Sequence, residues 1–597
     1  MKKTVLPGSQ NSSPSTPPPT ANELFSPRIA RYLALALVVA VFTIYIPALH
    51  FNFILDDHRF TGDPRLQSPG HVWEYFTSFV WAQVPGGPLS FYRPVFLLWL
   101  RLNFILSGAS PFAWHLFSIA KHIAVALLLG LLVWKLLRDR AAALLAAALF
   151  ALHPAQTESV AWVTVPDPLM SAAVLGSLLF YLKYAESASG ATQPLTSRAN
   201  RKLRKQVFTK SNNDLSLLWL IASAAACLLA LMAKETAIIL PAVLFTVAFA
   251  MPSNKPATRE TKNETKHRAE EKSLTQQETP SLGTRLLSAV RQTLPFLAVT
   301  VVYLLLRLNA LNGQLATLTQ HLPWKTVLLS WPATLWFYVK VLFWPIRSRA
   351  FADPALADTF SIRDVLLPAL GVLCAAAILA SACVWAWKTA RRNLRDREAT
   401  GVEVALLLGV LLLTLPILPA LDLNALNPGD FLHGRYTYLP LAGLTLLLAT
   451  FWHLAKSFRP ALLATAGVTV VVFSVLTIKQ EPIWKDDLAV FTEAHQLAPN
   501  NAPVAQSLVR AHVQQALALD EAGRCDEAML IFEDAIRQYP QDWYAWAGQG
   551  ECFFKLDQLT RAEQSLRRAA ELSQLPRVTE EWRMVREKMG LPATPLE

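Results

Sequence analysis

Charge is scarce in this chain. Only 16% of its 597 residues are charged, against 53% that are hydrophobic, and mean hydropathy is +0.31. That composition excludes an ordinary soluble globular protein and points to a polytopic membrane protein. Cysteine is scarce too: Cys227, Cys374, Cys383, Cys525 and Cys552 show no CxxC spacing and no neighbouring histidine cluster. Their spacing argues against a zinc or redox centre. No basic patch interleaved with aromatics occurs, so the formal charge of +12 reads as membrane topology and anchoring, and nucleic acid is not an expected partner. Residues 1–27 are rich in Ser, Pro, Thr and Asn and lack the charged, then apolar, then small order of a cleaved signal. They are expected to be a disordered tail, with the first span retained as an anchor.

What the chain has in abundance is apolar runs near the length of a bilayer crossing, roughly 17–25 residues. They recur from residue 31 to about residue 479 and then stop. Four basic loops are expected to face the cytoplasm: Lys135/Arg138/Arg140, residues 198–210, residues 388–397, and Lys456/Arg459. Requiring this gives eleven crossings, at 30–49, 112–134, 140–153, 167–184, 214–233, 236–251, 284–307, 363–388, 402–420, 437–455 and 460–479. An odd number puts everything after 479 on the outer side. The run 91–107 holds Arg101 near its middle, which costs roughly 2.5–3.5 kcal/mol in a bilayer. It is expected to be an interfacial helix with Trp99 at headgroup level and its arginines near phosphates. The run 324–344 contains Pro332 and Lys340, and counting it as a crossing would put the 388–397 cluster outside, so it is expected to be re-entrant or interfacial. The polar stretch 252–283 is expected to be a cytoplasmic loop.

Beyond 480 the sequence repeats. Ala528, Phe532, Ala535 and Pro540 recur 34 residues on as Ala562, Leu566 and Ala569, with Pro576 slightly displaced, while Trp546, Gly550 and Phe553 fill first-helix positions. This is the tetratricopeptide signature, in which small residues stand where paired helices approach and large ones fill between them. Phe491, Ala494 and Pro499 resemble a further second helix. Pro499 to Pro540 spans 41 residues, implying a seven-residue excess in the helix between. The repeats, at 481–590, read either as a protein-binding groove or as a cap on the membrane domain, at 28–480. Cys525 and Cys552 fall at adjacent helix ends, as two buried small hydrophobes or, outside the cytoplasm, a possible disulfide.

The first span ends at Asp56-Asp57-His58, where a buried site opening to the interface would place a general base. On the derived topology the outer face also collects Tyr92, Arg93, His153, Glu158, Asp167, Lys234, Glu235, His433, Arg435 and Tyr436. Convergence of ionisable groups from distant loops on one face is more informative than any single motif. Each has a structural alternative. Asp56 and Asp57 would cap a helix, His153-Pro154 would end a short span, Asp167-Pro168 would start a helix, and Lys234-Glu235 would neutralise each other. Arg435, flanked by Tyr436 and Tyr438, suits an anionic headgroup because guanidinium grips phosphate in a fork.

The order Asp56-Asp57, Tyr92-Arg93-Pro94, His115, His122, His153-Pro154…Glu158…Trp162, Asp167, Lys234-Glu235 and Arg435-Tyr436-x-Tyr438, then tetratricopeptide repeats, resembles the transmembrane and tetratricopeptide-repeat (TMTC) O-mannosyltransferases and their bacterial relatives, of the GT-C glycosyltransferase superfamily. The resemblance implies an all-α GT-C membrane bundle of about eleven spans with interfacial helices, followed by an α-solenoid of repeats on the outer, periplasmic side of a bacterial inner membrane. It implies transfer with inversion of a sugar, commonly mannose, from a polyprenyl-phosphate donor to a protein or envelope-glycan hydroxyl, with the repeats engaging a protein acceptor or partner. Asp56, or less well Asp57, would deprotonate the acceptor hydroxyl. Asp167 would orient the acceptor or a metal, and Arg93, Lys234 and Arg435 would offset charge on the departing phosphate. Tyr92, His153, Glu158, Glu235 and Tyr436 would complete the donor site. A divalent cation is left open, since the superfamily has members of both kinds.

The chain departs from that pattern at two places. His433-Gly434 precedes Arg435 where an acidic residue is usual, and Thr164-Val165-Pro166 precedes Asp167 where an arginine is common. Competing readings are a non-enzymatic membrane scaffold whose repeats recruit an envelope protein, and a polysaccharide polymerase or flippase.

Overall fold

The computed structural model describes residues 26–83, 91–188, 201–251, 281–314, 321–346, 356–426 and 432–592, with the side chains of 201–214 left aside. The expected N-terminal tail through residue 25, most of the 252–283 loop and the 198–200 part of its basic cluster lie outside them. Every regular element among the described residues is helical.

Among the described residues ten helices are long and apolar enough to cross a membrane. Nine of them, with the shorter apolar helices Arg140–Ala151 and Glu235–Ala250, run between two ends of the bundle and make eleven passes. At one end the basic loops gather. Glu186 accepts from Lys135 at 2.7 Å and from Arg138 at 3.1 Å, and Asp139 holds His453 and Arg459 at 3.0 and 2.8 Å. The 391–403 turn joins them, since a Cβ on Gly401 would meet the Leu136 carbonyl oxygen. The helix Asp167–Ala188 lies antiparallel to Arg201–Ala233, locked by reciprocal Ser177 and Ser223 hydroxyl bonds. Close approach depends on missing side chains where Asp396–Thr414 packs on Tyr438–Leu454. A Cβ on Gly443 would stand 2.4 Å from Leu413 N, the small-residue contact that lets membrane helices pack backbone to backbone. Arg140–Ala151 has only 12 residues, about 18 Å of rise, short of the roughly 30 Å hydrocarbon core of a bilayer.

Trp324–Phe343 is the tenth apolar helix, and it is not a twelfth pass. Its leading end receives the Leu322 N to Asn424 bond and the Trp331 indole donates to Leu421 O, while at its trailing end His153 Nε2 donates to Leu342 O and Gln480 donates to Pro345 O. All four partners terminate passes at the end opposite the basic loops. The helix therefore lies across that end. Pro94–Ser107 lies there too, but Arg101 does not reach outward as expected: it is buried and donates to the carbonyls of Arg65, Leu66 and Ser68. Buried among three carbonyl acceptors, the guanidinium ties this helix to the 56–80 loop through Nη1.

Six helices follow the bundle: Asp487–Leu497, Ala502–Glu521, Cys525–Gln538, Trp543–Lys555, Leu559–Ser573 and Pro576–Lys588. Ala528, Phe532, Ala535, Ala562, Leu566 and Ala569 are all buried where the repeat pattern puts them. A Cβ on Gly548 would stand 2.4 Å from the Phe532 ring, which is why the first helix of a unit carries a small residue there. The helix Ala502–Glu521 has 20 residues against 13 for Trp543–Lys555, the seven-residue excess implied by the proline spacing. The array docks on the end away from the basic loops. Trp484 is buried with Ala48, Phe51, Ile54 and Trp162, Asn52 N donates to Lys485 O at 2.9 Å, and Asp487 reaches the Asp56-Asp57 turn.

Candidate functional site

The acidic pair opens the short helix Asp56–Thr61, and its two carboxylates are placed differently. Asp57 is fully buried. Its Oδ1 accepts Thr164 N at 3.1 Å and Thr164 Oγ1 at 2.6 Å, and its Oδ2 accepts Ile54 N at 3.2 Å. Burial pushes this carboxyl up to about 7 despite the Thr164 and backbone donors, which pull the other way. Asp56 is half-buried. Leu55, before the pair, has φ 54° and ψ −121°, a backbone region costly to a branched residue. Asp487 from the first repeat helix holds it there: Oδ1 accepts Leu55 N at 2.8 Å, and Oδ2 lies 3.3 Å from His58 Nε2. The Asp487 hydrogen bond raises the His58 pKa above its ordinary value, against partial desolvation.

Thr164 links this turn to Asp167, three residues on. Both Asp167 oxygens accept from Lys234 Nζ at 2.7 Å, and the Lys234 ammonium stands 5.0 Å from the centre of the Tyr436 ring. Lys234 and Glu235 do not neutralise each other as sequence adjacency suggested, because they point to different partners. Glu235 takes Arg93, with Nε at 2.9 Å from Oε2, while Lys234 takes Asp167. Arg93 in turn stacks on Phe91 at 4.2 Å.

Glu158, buried, organises the last segment. Its Oε1 is 3.1 Å from His433 Nδ1, and its Oε2 accepts Arg435 N at 3.0 Å. Gly434 is what allows this, since a Cβ there would be 2.9 Å from Glu158 Oε2. The Arg435 guanidinium, partly exposed, lies 4.3 Å over the Trp162 ring and 5.6 Å from that of Tyr436. Beneath it Tyr438 donates to His122 Nδ1 at 2.8 Å, and His122 Nε2 donates to Ala151 O.

Asp56, Asp57, Glu158, Asp167, Lys234, Glu235, Arg93, Arg435 and Tyr436 thus meet at the repeat-bearing end of the bundle. Tyr92 and His153 come to the same end in structural roles. Tyr92 is fully buried, its hydroxyl on Phe76 O, and His153 is buried with Nδ1 accepting Ala155 N and Nε2 donating to Leu342 O. His115 is buried against the Phe51 ring. Two residues escaped the sequence reading, and a third, Thr164, entered it only as a departure from the family pattern. Thr164 and Asp487 orient the acidic turn, and Tyr338, buried in the transverse helix, lies in the electrostatic field of Arg435 and Glu158. Only the Lys485-Asp486-Asp487 acidic doublet opening a helix, where Asp486 already caps Ala489 N, hinted that the second acid had another task.

The donor set does not suit a resident divalent cation. Asp57 spends its oxygens on three N–H and O–H donors and Asp167 spends both on Lys234, so they do not present the several free oxygens a hard cation takes. Chemically, the arrangement offers a half-buried carboxylate at the end of the bundle that also holds three cations, Arg93 paired with Glu235, Lys234 with Asp167 and Arg435 with Glu158.

No protein-family model matches the chain. It is 25% identical to Protein O-mannosyl-transferase TMTC1 of Homo sapiens over 83% of its own length and 54% of that protein, and 22% identical to human TMTC3 over 90% and 55%. A stretch of 148 residues is 33% identical to Tmtc1 of Drosophila melanogaster, covering 24% of this chain and 17% of that one. The chain spans about half the length of the curated relatives it matches over most of its own length. Among solved structures, the Archaeoglobus fulgidus oligosaccharyltransferase tethered to an acceptor peptide aligns with a TM-score of 0.40 at 12% identity, over 84% of this chain and 59% of that one. The archaeal oligosaccharyltransferase AglB from the same organism, in complex with an inhibitory peptide and a dolichol-phosphate, gives 0.39 at 12% identity, over 81% and 58%.

Proposed function

We propose that this chain, homologous over most of its length to the TMTC protein O-mannosyl-transferases, is a membrane glycosyltransferase. It would move a sugar, mannose by analogy with those relatives, from a polyprenyl-phosphate donor to a hydroxyl of a protein. The observation that carries this reading is that the turn bearing Asp56 lies at the end of the bundle where the repeats dock, the same end that holds Arg93, Lys234 and Arg435. Positive-inside topology makes that end the outer one.

In this reading Asp56 takes the acceptor proton as the hydroxyl oxygen forms its bond to the anomeric carbon, on the face opposite the phosphate, so the configuration inverts. The bond from the anomeric carbon to the phosphate oxygen breaks, and polyprenyl phosphate leaves with one more negative charge. Arg435 is the cation best placed to receive it, being partly exposed and held 4.3 Å over the Trp162 ring, with Nη1 3.8 Å from Glu158 Oε1. A guanidinium fixed by stacking before the reaction needs little reorganisation as charge develops. Lys234 and Arg93, paired to Asp167 and Glu235, add positive field behind it. Asp57 is an anchor for the turn and Asp167 a positioning residue for Lys234.

The test compares Asp56→Asn with the unsubstituted chain, purified in detergent with polyprenyl-phosphate mannose and a protein acceptor, read by mass spectrometry. Transfer is expected to fall at least about 100-fold, the usual contribution of a general base, with expression unchanged. Transfer undiminished in Asp56→Asn removes the base assignment, and no transfer by the unsubstituted chain to protein extracted from its own envelope favours the scaffold reading.

A further inference from the structure

Away from this site, three metal-ligating side chains converge in the repeats. Asp520 ends one helix, Cys525 begins the next and Cys552 lies on the third, and all three are buried. Cys525 Sγ and Cys552 Sγ lie 2.8 and 3.1 Å from the same Asp520 Oδ1, and the three ligand atoms are within 4.8 Å of one another. Among the described residues no other group of three meets that criterion. The spacing of cysteine in the sequence argues against a zinc centre, but antiparallel helices bring together residues that no short motif joins.

We propose that Asp520, Cys525 and Cys552 form a binding site for zinc, a borderline-soft divalent cation that takes thiolate sulfur with one carboxylate oxygen. In a tetrahedral site the sulfurs would stand about 3.8 Å apart and each about 3.5 Å from the oxygen. From 2.8 and 3.1 Å, the sulfur-to-oxygen separations need to open by about 0.7 and 0.4 Å to reach that geometry. Water would fill the fourth position. Lys555 Nζ donates to the outer oxygen, Oδ2, at 2.9 Å, the place of an outer-shell donor that orients a ligating carboxylate. The charges balance: two thiolates and a carboxylate against one ammonium and one dication sum to zero. Binding forms two Zn–S bonds and one Zn–O bond and releases two thiol protons to water. A disulfide between the same cysteines would form one S–S bond, needs an external disulfide donor as oxidant, and would take both S–H donors away from a buried carboxylate oxygen. The ion would staple three consecutive helices of an array with few repeats, where nearest-neighbour packing supplies little stability.

The untagged full-length chain, reduced, loaded with zinc and passed through gel filtration, is expected to retain one zinc per chain by elemental analysis. Cobalt substitution is expected to give a thiolate-to-metal charge-transfer band. The C525S/C552S chain should lose both signals. Lys555→Met, half-exposed and compatible with folding, should weaken zinc binding roughly 10–100-fold as outer-shell changes do. No retained zinc in the intact chain, retention equal in the C525S/C552S chain, or a purified chain lighter by two hydrogens at these cysteines and indifferent to zinc after reduction would each overturn the site.

Discussion

Thr164, in the first departure from the TMTC pattern, places its hydroxyl 2.6 Å from Asp57 Oδ1 and gives that buried carboxylate a neutral donor. Thr164→Val keeps the shape and removes that donor. The expected loss is about 1.5–3 kcal/mol when Asp57 is ionised, since hydrogen bonds to charged groups are the stronger kind. Because burial raises the folded Asp57 pKa from 3.8 to about 7, the stability it contributes is full below 3.8 and is lost as pH rises through 7. The hydroxyl favours the ionised form, so the penalty of Thr164→Val should be larger at pH 8 than at pH 5. Thermal unfolding in detergent at both values checks this, and equal midpoints for variant and unsubstituted chain would remove the anchoring role. His433 makes the second departure coherent. Glu158, from a different loop, supplies the carboxylate that the neighbouring sequence lacks.

At the scale of elements, Trp324–Phe343 separates composition from placement. Its 20 residues are apolar enough to span, yet its partners Leu421, Asn424, His153 and Gln480 all belong to one end of the bundle. Trp324 and Trp344 bracket it and are both strongly exposed, as indoles at a headgroup layer are. Trp324→Cys and Trp344→Cys, made one at a time in intact cells or oriented vesicles, should both react with a membrane-impermeant maleimide from the side that carries the repeats. Labelling from opposite sides would make the helix a true crossing and overturn the transverse placement.

At the scale of the whole molecule, Asp487 is the side chain that joins the first repeat helix to the acidic turn, beside the Trp484 packing and the Asn52–Lys485 backbone bond. Asp487 binds the Leu55 amide in its strained conformation and sits 3.3 Å from His58 Nε2, so the repeats hold the turn that presents Asp56. The His58 pKa is raised in the folded chain, chiefly by that hydrogen bond. The contribution is therefore fully present below the unfolded value of 6.5 and is lost as pH rises through the higher folded value. Amide exchange at 52–60 is expected to speed up above neutrality more than base catalysis alone accounts for, and Asp487→Asn should abolish that excess. An identical pH profile in Asp487→Asn would show that the domains dock without this contact.

The sequence by itself determined the all-helical, multi-pass class of the molecule and the repeat pattern, because hydropathy, charge placement and proline spacing are local properties that the bilayer and helix pairing read directly. It also brought the acidic pair, Arg435 and the Lys234-Glu235 dipeptide to one face, since topology assigns loops to sides. Tertiary structure alone decided who pairs with whom. Lys234 chooses Asp167 over its neighbour Glu235, Asp57 is spent on Thr164 while Asp56 stays half-buried, Arg101 turns inward to carbonyls, and two cysteines 27 residues apart share one carboxylate oxygen. Those choices depend on a few ångströms between residues far apart in sequence, and a buried polar group takes whichever partner the packing brings within hydrogen-bond reach.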